Sequence, residues 1–308
     1  MKRPVRLSTY ALVVSLFFAA ACQSAAPSGS GKPSLKIGST NFSEQTILAE
    51  LYAQALEANG YRVERRLNLG AREIVEPALE SGQIDLYPEY MATLLAFLAK
   101  GAANAPAASS DAAATASSLQ AALQPKGLAA LSYAPAVDTN GYVVTKATAD
   151  KYHATKLSDL APVASQLVLG GPPECPERPF CQPGLRDTYG LSFKDFKPLD
   201  SGGPLTVAAL DAGQIDVGVL FTTDAVIATR GFVVLADDKH LQLADNVVPV
   251  VRADFLNKAP ADFKTTIDGV SAKLTTDELT GLNKAVGVDR KEPRDVAGAW
   301  LRDKGLVK

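Results

Sequence analysis

The chain has 308 residues, 47% of them hydrophobic and 21% charged, with a formal net charge of -2. That balance fits an ordinary globular protein and excludes collagen-like and wholly disordered classes. The lack of a basic stripe excludes nucleic acid as the main partner. Two histidines and three cysteines are too few for most multi-ligand zinc sites, so no metal or cofactor is expected.

The N-terminus reads as an address. Lys2, Arg3 and Arg6 precede an apolar run from Tyr10 to Phe18, too short to span a bilayer, which takes ~20 residues. Positive charge, a short apolar core and the small residues Ala19, Ala20 and Ala21 make residues 1–21 a secretory signal. Cys22, directly after them, resembles a lipobox cysteine, which is lipidated and becomes the mature N-terminus; Ala19 stands where leucine is usual. The plain alternative is a signal peptide cut near Ala21. Residues 22–33 then form a flexible tether, and the mature chain carries a net charge of about -5. Export bears on the other cysteines too. Cys175 and Cys181 share a proline-rich loop, and in an oxidising compartment they are expected to form a structural disulfide.

Leu35–Gly38 predicts a strand. Asn41 with Glu44 predicts a helix-capping box. The pairs Ile47/Leu48, Leu51/Tyr52 and Ala55/Leu56 give the helix an apolar stripe, and Asn59-Gly60 ends it. Tyr61 to Leu69 reads as a second strand. Ala71 to Ser81 reads as a helix whose start Pro77 delays. Strand–helix–strand units of this kind imply a parallel or mixed sheet with helices on its faces. The alanine-rich residues 101–122 read as a plain surface helix and loop.

The sequence also repeats itself. Ala78-Leu79-Glu80-Ser81-Gly82-Gln83-Ile84-Asp85-Leu86 returns 131 residues on as Ala209-Leu210-Asp211-Ala212-Gly213-Gln214-Ile215-Asp216-Val217, and Leu35–Gly38 has a counterpart 132 residues on in Leu167–Gly170. Two lobes on one plan follow, with a cleft between them for a small ligand. Reactive groups are missing. Gly29-Ser30-Gly31-Lys32 lacks the first glycine and the Ser/Thr of a phosphate loop, and no nucleophile elbow occurs. His153 and His240 sit in polar, surface-like settings, and Asp237-Asp238 reads as a turn. An exported two-lobed protein without reactive groups reads as a binder rather than an enzyme.

Specific segments carry a resemblance. They are Gly38-Ser39-Thr40-Asn41-Phe42-Ser43-Glu44-Gln45, Gly82 through Tyr90, Asn140-Gly141-Tyr142, Glu177-Arg178-Pro179, Pro183-Gly184-Leu185, Tyr189-Gly190-Leu191 and the tail Ala299 to Leu306. The chain resembles the osmoprotectant-binding proteins of ABC importers over nearly all of residues 35–307. That family captures glycine betaine, choline, carnitine or related quaternary ammonium compounds. The resemblance implies an α/β, two-lobed type II periplasmic-binding-protein fold, with lobe one from residues 34–135 plus 236–308 and lobe two from 136–235. It implies a monomer that serves ABC permease subunits in the membrane, exported and held there by a lipid on Cys22.

A quaternary ammonium head donates no hydrogen bonds, so aromatic faces are its natural receptor. The resemblance makes Tyr90 and Tyr142 cage walls from opposite lobes, Thr93 a donor to a carboxylate tail and Arg178 the main clamp on that tail. Asn140 adds a polar contact, and Asn41 and Thr222 complete the set. Tyr52, Tyr61, Tyr87, Tyr189 and Trp300 read as structural. Three positions depart from the pattern: Phe221 and Asp245 stand where cage tyrosines are common, and Thr40 where a lysine helps hold the carboxylate. Losing the lysine and gaining an acid tilts the site toward cations, whereas Arg178 pulls the other way. The alternative is the same fold and transport role with another small polar solute, such as an amino acid.

Overall fold

Three short tracts in the first third of the chain become parallel strands, β1 (Ser34–Gly38), β2 (Arg62–Arg66) and β3 (Leu86–Tyr90), with β1 in the middle. Beyond β3 the sheet continues antiparallel through β10 (Val247–Arg252) to β4 (Leu128–Ala130). A second sheet holds β5 (Asn140–Val144), β6 (Val168–Gly171), β7 (Asp195–Pro198), β8 (Val217–Phe221) and β9 (Val233–Val234). The orders β2-β1-β3-β10-β4 and β7-β6-β8-β5-β9 describe one plan used twice. This computed structural model describes Met1 and residues 31–100 and 107–308. The expected signal segment and Cys22 lie outside the described residues.

The repeated nonapeptide does the same work in both lobes. Asp85 accepts from the Lys36 amide and Asp216 from the Val168 amide, each at 2.8 Å, and so fixes the register of β3 and β8 against β1 and β6. One residue earlier, Ile84 covers Gly38 and Ile215 covers Gly170. A Cβ on either glycine would lie 2.5 or 2.6 Å from the isoleucine Cδ1, closer than packed carbons tolerate. Each repeat therefore delivers the last residue of the strand it leads into, Tyr90 of β3 or Phe221 of β8, to the same end of its sheet.

The first helix, Ser43–Ala58, is buried on more than the expected stripe, because Ala49, Glu50 and Ala53 are covered as well. It packs on the first sheet and also on the helices Ala261–Lys273, Thr276–Gly287 and Pro293–Asp303. Its cap differs from the expected box. Phe42 is the N-cap, no side chain caps the helix, and Glu44 turns inward to partners from elsewhere in the fold. The helix Arg72–Glu80 starts without delay and carries Pro77 inside it, at the cost of one backbone bond. The helix Ala112–Leu123 is capped by Asp111, which accepts from the Ala114 amide.

The chain crosses to the second lobe between β4 and β5 and returns between β9 and β10. The two crossing segments touch at a bridge between Val137 and Asn246, and the Asp138 amide donates to the Asp245 carbonyl at 3.3 Å. Residues 236–242, expected with lobe one, pack on lobe two instead. Leu241 is buried in the second core, and Asp237 accepts from Tyr189 and from the Leu241 and Gln242 amides. These contacts hold the return segment to lobe two for several residues beyond β9.

Candidate functional site

A cavity of about 510 Å³ lies where the two sheets' strand ends meet the crossing segments. Its first-lobe wall includes Phe42, Arg72, Tyr90, Thr93 and Phe97, and its second-lobe wall Asn140, Arg178, Phe180 and Phe221. Asp138 and Asp245 enter from the crossing segments.

Three rings form a continuous aromatic surface across the lobes. Phe42 lies 4.9 Å from Phe221 and 6.3 Å from Tyr90 between ring centroids. Phe42 belongs to a segment that the sequence singles out, but there the capping pattern drew attention to Asn41 and Glu44. The Tyr90 hydroxyl donates to Glu44, which fixes the ring edge away from the cavity.

Polar groups around the cavity fall into two sets. The first is saturated. Arg72 donates to both Glu89 oxygens at 2.6 and 2.7 Å and to the Thr93 hydroxyl at 2.8 Å, and Tyr87 donates to Glu89 as well. Arg178 reaches across from lobe two to both Glu73 oxygens at 2.9 and 3.3 Å. Burial works against the Glu73 carboxylate, yet the guanidinium of Arg178 outweighs it and holds its carboxyl below the usual range. The neighbouring Lys100 and Glu177 form a second pair across the mouth, 2.8 Å long.

The second set is acidic and unpaired, although the Arg72 guanidinium lies near enough to act on Asp245. Asp138 and Asp245 are 3% exposed and make no ion pair among the described residues. Asp245 accepts from the Thr93 amide at 3.0 Å and hydroxyl at 3.3 Å. Burial raises its carboxyl to about 7, and raises that of Asp138 too, where Glu44 adds to the effect.

Several expected site residues stand elsewhere. Tyr142 does not line the cavity: it is buried in the second core and donates to the Phe180 carbonyl at 2.7 Å. Asn140 lines the cavity but gives its amide to the same carbonyl at 2.9 Å, as does Gln242. Three donors thus pin the loop that Cys175 and Cys181 close, with a Cα–Cα separation of 5.2 Å. Asn41 and Thr222 are exposed outside the cavity lining, and Thr222 binds Asp138 and the Thr139 amide. Thr40 is buried, lines no part of the cavity, and its hydroxyl has no partner among the described residues. Tyr90, Thr93, Arg178, Phe221 and Asp245 do come together. Phe42, Phe180, Arg72 and Asp138 went unread, because no spacing in the chain links them.

Residues 33–303 match the model of a family described as the substrate-binding domain of ABC-type glycine betaine transport systems. The chain belongs to this family. A glycine-betaine-binding protein of Pseudomonas aeruginosa is 30% identical over 284 residues, covering 89% of this chain and 88% of that protein. A carnitine transport binding protein of Listeria monocytogenes is 27% identical over 98% of this chain and 96% of its own. Among solved structures, one of a glycine betaine/carnitine/choline ABC transporter superposes with a TM-score of 0.69 at 27% identity, covering 89% of this chain and 99% of that one. The two sheets are therefore the lobes of a periplasmic substrate-binding fold. The relatives of this substrate-binding protein are transport proteins, not enzymes.

Proposed function

We propose that this substrate-binding protein captures a quaternary ammonium solute between Phe42, Tyr90 and Phe221 and delivers it to an ABC permease. The observation that carries this reading is the pairing of an aromatic surface with two buried carboxyls that make no ion pair among the described residues. Aromatic faces attract a cation that cannot donate hydrogen bonds, by about 0.5–2 kcal/mol each as water leaves. Asp138 and Asp245 supply the charge complement. Both arginines in the wall are already bonded to carboxylates. A solute with a carboxylate tail therefore has to draw Arg178 away from Glu73, whereas a choline-like cation does not. The named relatives support the class, since they bind glycine betaine and carnitine.

Residues 34–135 with a return from about 243 form lobe one in this reading, and 136–242 form lobe two. We place the mature protein outside the cytoplasmic membrane, held by a lipid on Cys22 and acting as a monomer. Calorimetric titration of the domain lacking residues 1–22 with choline, glycine betaine, carnitine and common amino acids tests the ligand class. Binding of quaternary ammonium compounds, weakened about fivefold or more in Phe42→Ala, is expected. Binding of amino acids alone would redirect the site to another polar solute. Radiolabelled palmitate incorporation that vanishes in Cys22→Ala tests the anchor.

A further inference from the structure

We propose that Glu44 and Asp138 share one proton through the hydroxyl of Thr223, and that this proton clasps the two lobes together behind the aromatic surface. Thr223 follows β8 in lobe two and is fully buried, while Glu44 lies on the first helix of lobe one. The Thr223 hydroxyl is 2.6 Å from Glu44 Oε2 and 3.0 Å from Asp138 Oδ1. A hydroxyl owns one hydrogen and can donate to only one of two carboxylates. The other contact is a hydrogen bond only if that carboxyl carries a proton and donates to Thr223 Oγ1.

The surroundings say which carboxyl it is. Asp138 Oδ1 also receives the Thr223 amide and the Thr222 hydroxyl, each at 3.1 Å, which favours an anion there. Glu44 Oε1 accepts from the Tyr90 hydroxyl. Among the described residues Oε2, the atom that faces Thr223, accepts only from the Asn283 amide nitrogen, and so has room for a proton that Asp138 Oδ1, with two donors besides the Thr223 hydroxyl, lacks. Asn283 Oδ1 is itself buried without a partner among the described residues, a second acceptor for the same proton after a half-turn of the amide. The proton therefore sits on Glu44 and points to Thr223, which donates to Asp138. The charged and titratable groups acting on this pair are Tyr90, Asp224 and, beyond Asp224, Asp200; none is basic. Desolvation raises both carboxyls, as a retained proton requires.

In this arrangement one relay orients Tyr90, presents a single negative charge to the cavity from Asp138, and ties lobe one to lobe two. Loss of the proton would leave two buried anions on either side of one hydroxyl and drive the lobes apart. The inference touches the cage reading only through Tyr90 and Asp138, and its test needs no ligand.

The test is the unfolding temperature of the ligand-free domain lacking residues 1–22, followed from about pH 5 to about pH 8.5 in wild type, Glu44→Gln, Glu44→Ala and Thr223→Val. A carboxyl whose folded value is raised stabilises fully below its unfolded value, and that stability drains away as pH rises toward the folded value. Gln keeps the donor and cannot lose it. Relative to Glu44→Gln, wild type should therefore fall steadily as pH rises from about 5. Glu44→Ala and Thr223→Val should fall below both at every pH. Glu44→Gln profiles that parallel wild type, or a Gln variant as unstable as the Ala variant, would show Glu44 ionised in the fold and sink the proposal. If wild type binds no quaternary ammonium compound, the cage reading fails while these profiles still judge the clasp.

Discussion

Arg72 with Glu89 and Arg178 with Glu73 are two guanidinium–carboxylate forks on one cavity, with opposite surroundings. The inner fork is buried, short and shared with Thr93 and Tyr87. Both of its residues belong to lobe one. The outer fork is about a third exposed, longer, and joins the two lobes across the mouth. A buried pair has lost its water, so each member depends on the other, and removing one leaves an uncompensated charge in low dielectric. An exposed pair exchanges with water at little cost. The inner fork is thus a fixed floor, and the outer fork is a contact that can open or change partner at little cost.

The largest test of this contrast is Arg72→Met. It should destabilise the fold by about 3–5 kcal/mol by stranding Glu89, read from denaturant unfolding. A loss near zero would mean that the inner fork is as replaceable as the outer one. Next comes the loop that carries Arg178. Cys175→Ala with Cys181→Ala frees a short closure and should cost about 2 kcal/mol. The larger expected effect is weaker solute binding, because the outer fork loses its fixed position.

Asp245 sharpens the comparison through pH. With its carboxyl raised to about 7 by burial, the acid is neutral below that value and anionic above it. Affinity for a cationic solute should therefore rise severalfold between pH 6 and pH 8, and Asp245→Asn should flatten that rise. The sign for stability is opposite: the contribution of the protonated form drains away as pH climbs toward 7. The smallest effect belongs to Arg178→Ala. It should change stability by about 1 kcal/mol or less, while stopped-flow mixing should show faster solute release. Equal stability losses in Arg72→Met and Arg178→Ala would erase the distinction between floor and gate.

The plan of the molecule is legible in its sequence. The nonapeptide echo places Asp85 and Asp216, and Ile84 and Ile215, in identical roles, because hydrogen bonds and packing within one strand–helix–strand unit depend on neighbours at fixed short spacing. Tyr90 and Phe221 came forward through the family resemblance, and the fold shows that each ends a repeated strand. Which polar groups remain available to a solute is settled by contacts between distant parts of the chain. Tyr142 and Asn140 spend theirs on the Phe180 carbonyl, Arg72 spends its own on Glu89, and Glu44 leaves its cap for Thr223 and Asn283. Those partners lie from 17 to 239 residues away. A hydrogen-bond donor is used up by whatever the fold brings within about 3 Å of it, and no local pattern records that meeting.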